Sequence, residues 1–192
     1  MSQKFPALPA RPATARDVPE LLVLQRCCWV DEAIANDTLD IAALHETLAD
    51  VRAGLNRWHT WCLRHDGRLI GAVRARRDGA SWHLGRLMVA PDQRRSGLGR
   101  ALLRHAEAQA PPGIDTFVLE TGRRSTDNIR FYRSCGYRLA GSAGPHAVRL
   151  VKPAAAETTT NRAGTTTNRA GGAEPAASGT GGAEPAASGT GG

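Results

Sequence analysis

Between Val89 and Arg100 the chain reads Val-Ala-Pro-Asp-Gln-Arg-Arg-Ser-Gly-Leu-Gly-Arg, a strand-like end followed by a basic turn punctuated by two glycines. These residue types in this order suit the binding of an anion. A helical apolar series begins inside the segment, so its first N–H groups lack intrahelical partners and carry the positive end of the helix dipole. Gly97 and Gly99 allow a phosphate to approach the main chain closely, and Arg94, Arg95 and Arg100 add positive charge around it. Two nucleotide fingerprints are excluded: no Gly-Lys-[Ser/Thr] closes the segment, and no third glycine follows Gly97-x-Gly99.

Other chemistries find less support. The histidines at 45, 59, 65, 83, 105 and 146 contain no His-Glu-x-x-His spacing, and Cys62-x-x-His65 is half a zinc set without a second pair, so no metal is expected. Cys27 and Cys28 are adjacent on a helical stretch and read as core residues before nucleophiles. With Cys62 and Cys135 they form no Cys-x-x-Cys pair and no plausible disulfide framework, which points to reduced thiols. The first 17 residues lack the apolar core of a secretion signal and no run of about 18 apolar residues occurs, so the expectation is a cytoplasmic chain with no membrane partner.

The elements that must position the anion loop follow from periodicity. Arg11–Thr14 reads as a short edge strand, and Asp17 precedes a helix carrying Val18, Leu21, Leu22, Gln25 and Cys28 at spacings of three and four. A second helix is expected from about Asp40, with Ile41, Leu44, Leu48, Val51 and Leu55 on one stripe. From Thr60 the pattern alternates with period two through three runs separated by Asp66-Gly67 and Asp78-Gly79, the signature of an antiparallel meander. A helix from Gly97, a buried strand Thr116–Glu120, a helix Ser125–Ser134 and two closing strands complete the order. The predicted class is α+β: a mixed, mostly antiparallel central sheet of about seven strands flanked by four helices.

Composition bounds the rest. The chain has 192 residues and a formal charge of +7, but the stretch from Thr158 to Gly192 repeats TTTNRAG and GAEPAASGTG and contains no Leu, Ile, Val, Met or aromatic residue. Such a stretch cannot bury enough apolar surface to offset the entropy of ordering. The expected organisation is a flexible leader (1–9), one folded domain (10–153) and a disordered repeat tail (154–192). The tail charges Arg162, Arg169, Glu174 and Glu184 cancel, so the positive charge belongs to the domain. It implies an anionic partner. With aromatics at 5% and arginines scattered, a nucleic-acid surface is not favoured.

Arg94-x-x-Gly97-x-Gly99, preceded by Val89-x-Pro91, resembles the acetyl-CoA-binding motif of the GNAT superfamily of N-acetyltransferases. The later segment Asn128-x-x-Phe131-Tyr132-x-x-x-Gly136-Tyr137 is similar to that family's second motif, and the element order over residues 11–152 is that of the acyl-CoA N-acyltransferase fold. The resemblance implies that the pyrophosphate of coenzyme A sits on main-chain amides from Arg94 through Arg95, Ser96, Gly97, Leu98 and Gly99 to Arg100. It implies that pantetheine pairs with Leu87, Met88 and Val89 where two strands splay, with Asn128 and Tyr132 alongside. Arg95, Arg100 and Arg104 are the candidates for the adenosine 3′-phosphate.

The implied activity is transfer of the acetyl group of acetyl-CoA to a primary amine of a small molecule or of a protein or peptide, by direct attack in a ternary complex. The alternative is a catalytically weak acetyl-CoA-binding regulatory or interaction module. Acyl transfer to an amine needs a base, an oxyanion donor and a proton for the leaving thiolate. By the resemblance Tyr132 is the candidate acid and Glu120 the candidate base, with His83 the runner-up. A strand-end carboxylate paired with Arg123 or Arg124 is the plainer reading of Glu120. Trp29, Glu32 and Trp58 are the candidate acceptor contacts, on the ground that acidic groups beside tryptophan could hold a cationic amine. The identity of the amine is left open, and a homodimer is compatible with all of this.

Overall fold

The computed structural model describes residues 10–154; the expected leader and the repeat tail from 155 onward lie outside the described residues. Seven strands form one sheet: β1 (Arg11–Pro12), β2 (His59–His65), β3 (Arg68–Asp78), β4 (Ser81–Val89), β5 (Thr116–Gly122), β6 (Arg138–Ser142) and β7 (Ala147–Pro153). Their spatial order is β1-β2-β3-β4-β5-β7-β6, and only the β4–β5 pair is parallel. The α+β class and the mixed, mostly antiparallel sheet are as the sequence predicts.

The helix count differs from the expected four. Among the described residues there are five α-helices: α1 (Val18–Asn36), α2 (Ala42–His45), α3 (Leu48–Arg57), α4 (Leu98–Ala108) and α5 (Thr126–Ser134). The stripe expected from Asp40 is cut in two because Glu46 turns extended and Thr47 starts a new helix. Thr47 accepts from the Asp50 amide while Asp50 accepts from the Thr47 amide at 2.9 Å, a reciprocal cap that outweighs the continuous apolar spacing.

The first meander turn is centred on Asp66-Gly67, both with positive φ, as a tight hairpin requires. The second is displaced by one residue. Asp78 pairs with Ser81, so Gly79-Ala80 are its central residues and Gly79 supplies the positive φ.

Trp82 and Leu84 of β4 face α4, where Trp82 Nε1 donates to the Ala106 carbonyl at 2.8 Å and packs with Leu102 and Leu103. Each of these fully buried side chains contributes roughly 1.5–3 kcal/mol of transfer free energy. The opposite face is covered by α1 and α3. The strand β4 is thus held firmly along its first half, and it is this anchoring that fixes where its second half ends.

Candidate functional site

β4 and β5 run side by side only from Ser81 opposite Thr116 to Leu84 opposite Leu119. Beyond that pair the strands part. Gly85, Met88 and Val89 keep their pairing with β3, but nothing from Gly85 to Val89 has a β5 partner, and Glu120–Gly122 pair only with β7. A main-chain edge is thereby opened inside the sheet, a site for an extended ligand to add hydrogen bonds.

This opening has a local cause. The β3–β4 ladder slips between Ala72 and Arg74, and Arg86 takes φ 48°, the left-handed region that a non-glycine residue rarely occupies. Such a bulge bends its strand and changes which face a side chain meets. Gly85, opposite Arg74, faces α3, and Met88, opposite Ala72, faces the same way; Arg86, between them, also turns to the helix side. There it reaches Glu46 at 2.7 Å and lies 5.1 Å above the Trp29 ring.

At the end of the open edge the chain makes a short 3-10 turn over Pro91–Gln93 and enters α4 at Gly97. Arg68 pins the turn through two hydrogen bonds to Asp92, at 2.7 and 2.8 Å, and the Ser96 hydroxyl donates to the Gln93 carbonyl at 2.5 Å. Arg95 at φ 63° and Gly97 at φ 88° form the turn, and no side chain caps the helix. A Cβ at Gly97 would meet nothing within 4 Å, so the space over the helix start is open. Arg94 is directed to Asp31 of α1, while Arg100 donates to the Ser134 hydroxyl at 2.8 Å. Arg100 and Arg104, with Lys152, line a recess of about 170 Å³ between α4 and α5.

Glu32, Asn36, Thr121, Ser125 and Asn128 tie α1 to the parted end of β5 and to α5. Glu32 accepts from the Gly122 amide at 2.8 Å, the Thr121 hydroxyl at 3.3 Å and Asn128 at 2.8 Å. Buried Asn36 donates to Ser125 Oγ at 2.7 Å and accepts from the Arg124 amide at 2.9 Å. A Cβ at Gly122 would come within 2.2 Å of Asn36, so only glycine lets these segments close. Tyr132 lies next to this group, half-buried between Phe131 and Tyr137, and its hydroxyl donates to no described residue. Burial first, then the charge of Glu32, hold its proton well above the ordinary phenol range.

The candidate bases are placed differently. Partners across a ladder share a face, so the His83–Val118 pair puts Val118 and then Glu120 on the α3 side of the sheet, at the parting. Glu120 is exposed and pairs with Arg149 of β7 at 2.9 Å, not with Arg123 or Arg124. His83 sits in the closed part of β4, with Asp78 3.7 Å away. Four residues, about 13 Å of strand, separate it from Leu87. His83 thus lies in the closed part of β4, two residues before the open edge begins at Gly85.

The expected acidic and tryptophan surface for a cation is not assembled. The Trp29 ring faces Arg86, the Trp58 ring faces Arg74 at 4.5 Å and Arg76 at 4.8 Å, and the Glu32 carboxylate is consumed by its hydrogen bonds. Sequence reasoning missed Arg74, Arg86 and Glu46, which meet only through the fold, and Asn36, which the fold brings to Arg124 and Ser125. Cys28, unassigned except as a core residue, donates to the Val89 carbonyl at 3.3 Å, and burial raises its pKa. No group of three or more His, Cys, Asp or Glu side chains is placed to hold a metal among the described residues, and no described helix is long and apolar enough to cross a membrane.

Residues 56–139 match the family model described as an acetyltransferase (GNAT) domain. The UPF0157 protein YqkA of Bacillus subtilis (strain 168) is 27% identical over 121 residues, covering 63% of this chain and 34% of that protein. The chain thus spans about a third of the length of this curated relative. Among solved structures, the PaiA N-acetyltransferase of Thermoplasma acidophilum in complex with coenzyme A is similar over 76% of this chain and 98% of its own, with TM-score 0.68 and 18% identity. The ribosomal-protein-alanine N-acetyltransferase of Brucella melitensis is similar over 76% and 99%, with TM-score 0.60 and 22% identity. At these identities the likeness is one of fold.

Proposed function

We propose that the chain is a member of the GNAT superfamily and that it transfers the acetyl group of acetyl-CoA to a primary amine by direct attack in a ternary complex. The observation that carries the proposal is the continuity of an unpaired β4 edge at Gly85–Val89 with an uncapped helix start at Gly97. One feature suits an extended amide-bearing arm and the other a pyrophosphate, in the order in which coenzyme A presents them. Leu87, Met88 and Val89 would pair with the arm, Arg94 to Arg100 would hold the pyrophosphate, and Arg100 and Arg104 would face the 3′-phosphate. Asn128 supports the site through Glu32.

Coenzyme A supplies the activated thioester; the chain's residues bind, orient and move protons. A main-chain N–H near Met88 or Val89 would stabilise the oxyanion. Tyr132 stays protonated at neutral pH, so it serves as a donor to the leaving sulfur. Its raised pKa makes complete proton transfer less favourable than from an ordinary phenol. Glu120, on the α3 side at the parting, would accept the amine proton directly or through water once Arg149 shares it.

Because Glu120 is already paired, a second reading is retained: a module that binds acetyl-CoA with weak or no turnover. Calorimetry with acetyl-CoA, followed by thiol release against a panel of amines, separates the two. Binding with turnover and intersecting initial-velocity lines supports direct transfer. Binding without thiol release supports the module, and absence of binding overturns both.

A further inference from the structure

On the α3 side of the sheet a group of charges lies beside the parted strands. Arg74, in the middle of β3, projects beneath Gly54 of α3. Its guanidinium donates to no described residue, and its Nε is buried without an acceptor. The Nε of Arg86 is buried without an acceptor as well. Glu46 answers one of these two charges, binding Arg86 at 2.7 Å while also accepting from Gln25 at 2.8 Å. Trp58 stacks under Arg74 and Arg76, and Trp29 under Arg86, so flat rings hold the guanidinia in place. Arg57 and Arg76 add further positive charge, and with Trp58, His59 and Arg77 they line an open cavity of about 410 Å³. Burial first, and Arg86 next, bring the Arg74 guanidinium down to about 10, which leaves it charged at neutral pH.

Buried donors are almost always paired in folded proteins, because an unmade hydrogen bond forfeits the solvation that was given up. Two neighbouring guanidinia with unanswered donors thus describe a place for an acceptor-rich anion. Planar, forked donors match a carboxylate. The charge count agrees: Glu46 neutralises one of the two guanidinia, and a monoanion neutralises the other. The position agrees too. Arg74 lies two residues along β3 from Ala72, which faces Met88, a separation of about 7 Å that a small amino acid can span.

We infer that Arg74 and Arg86 recognise a carboxylate on the acceptor amine, so that the substrate class is an amino acid or similar small carboxylate-bearing amine, not a polyamine. The inference rests on the acetyl-transfer reading for its acceptor, while the anion site itself does not. Replacing Arg74, which lies on β3 outside the Gly85–Val89 edge, therefore changes acceptor recognition without changing coenzyme binding.

Tryptophan fluorescence of the full chain tests this without requiring turnover. Trp29 and Trp58 carry the stacked arginines, whereas Trp61 and Trp82 are buried at 7% and 1% exposure and supply a constant background. The probes are N-acetyl derivatives of the common amino acids, each beside its primary amide, together with O-phosphoethanolamine and spermidine. At least one acetylated amino acid should give a saturable change, with its amide about tenfold weaker or more. Arg74→Met and Arg86→Met should each bring that ratio close to one. Arg74→Met should also melt no lower than the native chain, because it removes a buried charge without an acceptor; a purely structural arginine would show a clear loss. A carboxylate preference that survives both substitutions, a lowered melting temperature with the preference intact, tighter binding of spermidine or O-phosphoethanolamine, or no response to any carboxylate would overturn the inference. Carboxylate binding without thiol release from any amine would instead overturn acetyl transfer and leave the anion site standing.

Discussion

The two halves of β4 obey different rules. From Ser81 to Leu84 the strand is paired on both edges, and Trp82 and Leu84 are buried against α4. From Gly85 to Val89 one edge has no strand partner, a bulge forces Arg86 to positive φ, and the chain continues into a turn whose amides are left uncapped. Strain and unmet hydrogen-bonding capacity concentrate where pairing stops, as they do at sites built to receive a ligand. The arginines divide in the same way. At the β1–β2 end, Arg11 and Arg64 close on Asp17, which is 1% exposed and also accepts from the Thr14 amide and hydroxyl. Beside the open half, Arg74 has no such acceptor.

Breaking the closed region should give the largest effect, and on stability alone. Asp17→Asn leaves Arg11 and Arg64 facing a neutral group, and breaking a buried ion pair costs about 3–5 kcal/mol. Urea unfolding should show that loss while acetyl-CoA affinity, measured on the folded variant, stays within about threefold. The same carboxylate gives the native chain an acid sensitivity. Arg11 above all holds the Asp17 carboxyl well below the usual carboxylate range. Near pH 4 the unfolded chain therefore binds a proton that the folded chain does not, so stability rises with pH there. The contribution is full above the ordinary carboxylate pKa of about 4 and is lost as pH falls below it. A denaturation midpoint independent of pH between about 5 and 3 would contradict this.

Breaking the open region should remove binding while the fold is kept. Gly97→Glu places a side chain at φ 88° and a negative charge over the amides expected to hold pyrophosphate. Acetyl-CoA affinity should drop about a hundredfold or more, near 2.7 kcal/mol, with the far-ultraviolet spectrum retained. Unchanged affinity would mean that the uncapped helix start is not the phosphate site. Tyr132→Phe divides binding from chemistry within the same region. It should lower kcat by about ten- to a hundredfold and leave coenzyme affinity within about twofold. With the Tyr132 proton held above the ordinary phenol range, the native rate should show no decline as pH passes about 10, the usual phenol value.

The contrast between the halves was partly legible in the residues. The glycine and arginine spacing of the loop, the Asp66-Gly67 turn and the strand–helix–strand order are local patterns, and local patterns carry most of the fold. The break between α2 and α3 was missed because five apolar residues keep helical spacing across it, while the deciding cap rests on Thr47 and Asp50 alone. The polar ties around Asn36 and the Arg74–Arg86 group join residues with no periodicity among them, from α1, β3, β4 and the β5–α5 turn. Nothing in the spacing marks Arg86 as turned toward the helices, since strict alternation would send it to the α4 side. Only the bulge reverses that.

His83 supplies the sharpest small test, because residue type alone recommends it as a base and position alone argues against it. It belongs to the closed half, paired with Arg76 on one side and Val118 on the other, and it sits four residues before the first main chain offered to pantetheine. A base must come within about 3 Å of the proton it takes, or reach it through one water. His83 is set back from the open edge by two residues to Gly85 and by four, about 13 Å of strand, to Leu87, farther than an imidazole reaches. His83→Gln should therefore change kcat/KM by less than about threefold and leave the shape of its pH profile intact, while Glu120→Gln should cost about tenfold or more. If the histidine variant lost the larger factor, the closed half of β4 would be part of the chemistry, and the division between the two halves would have to be redrawn.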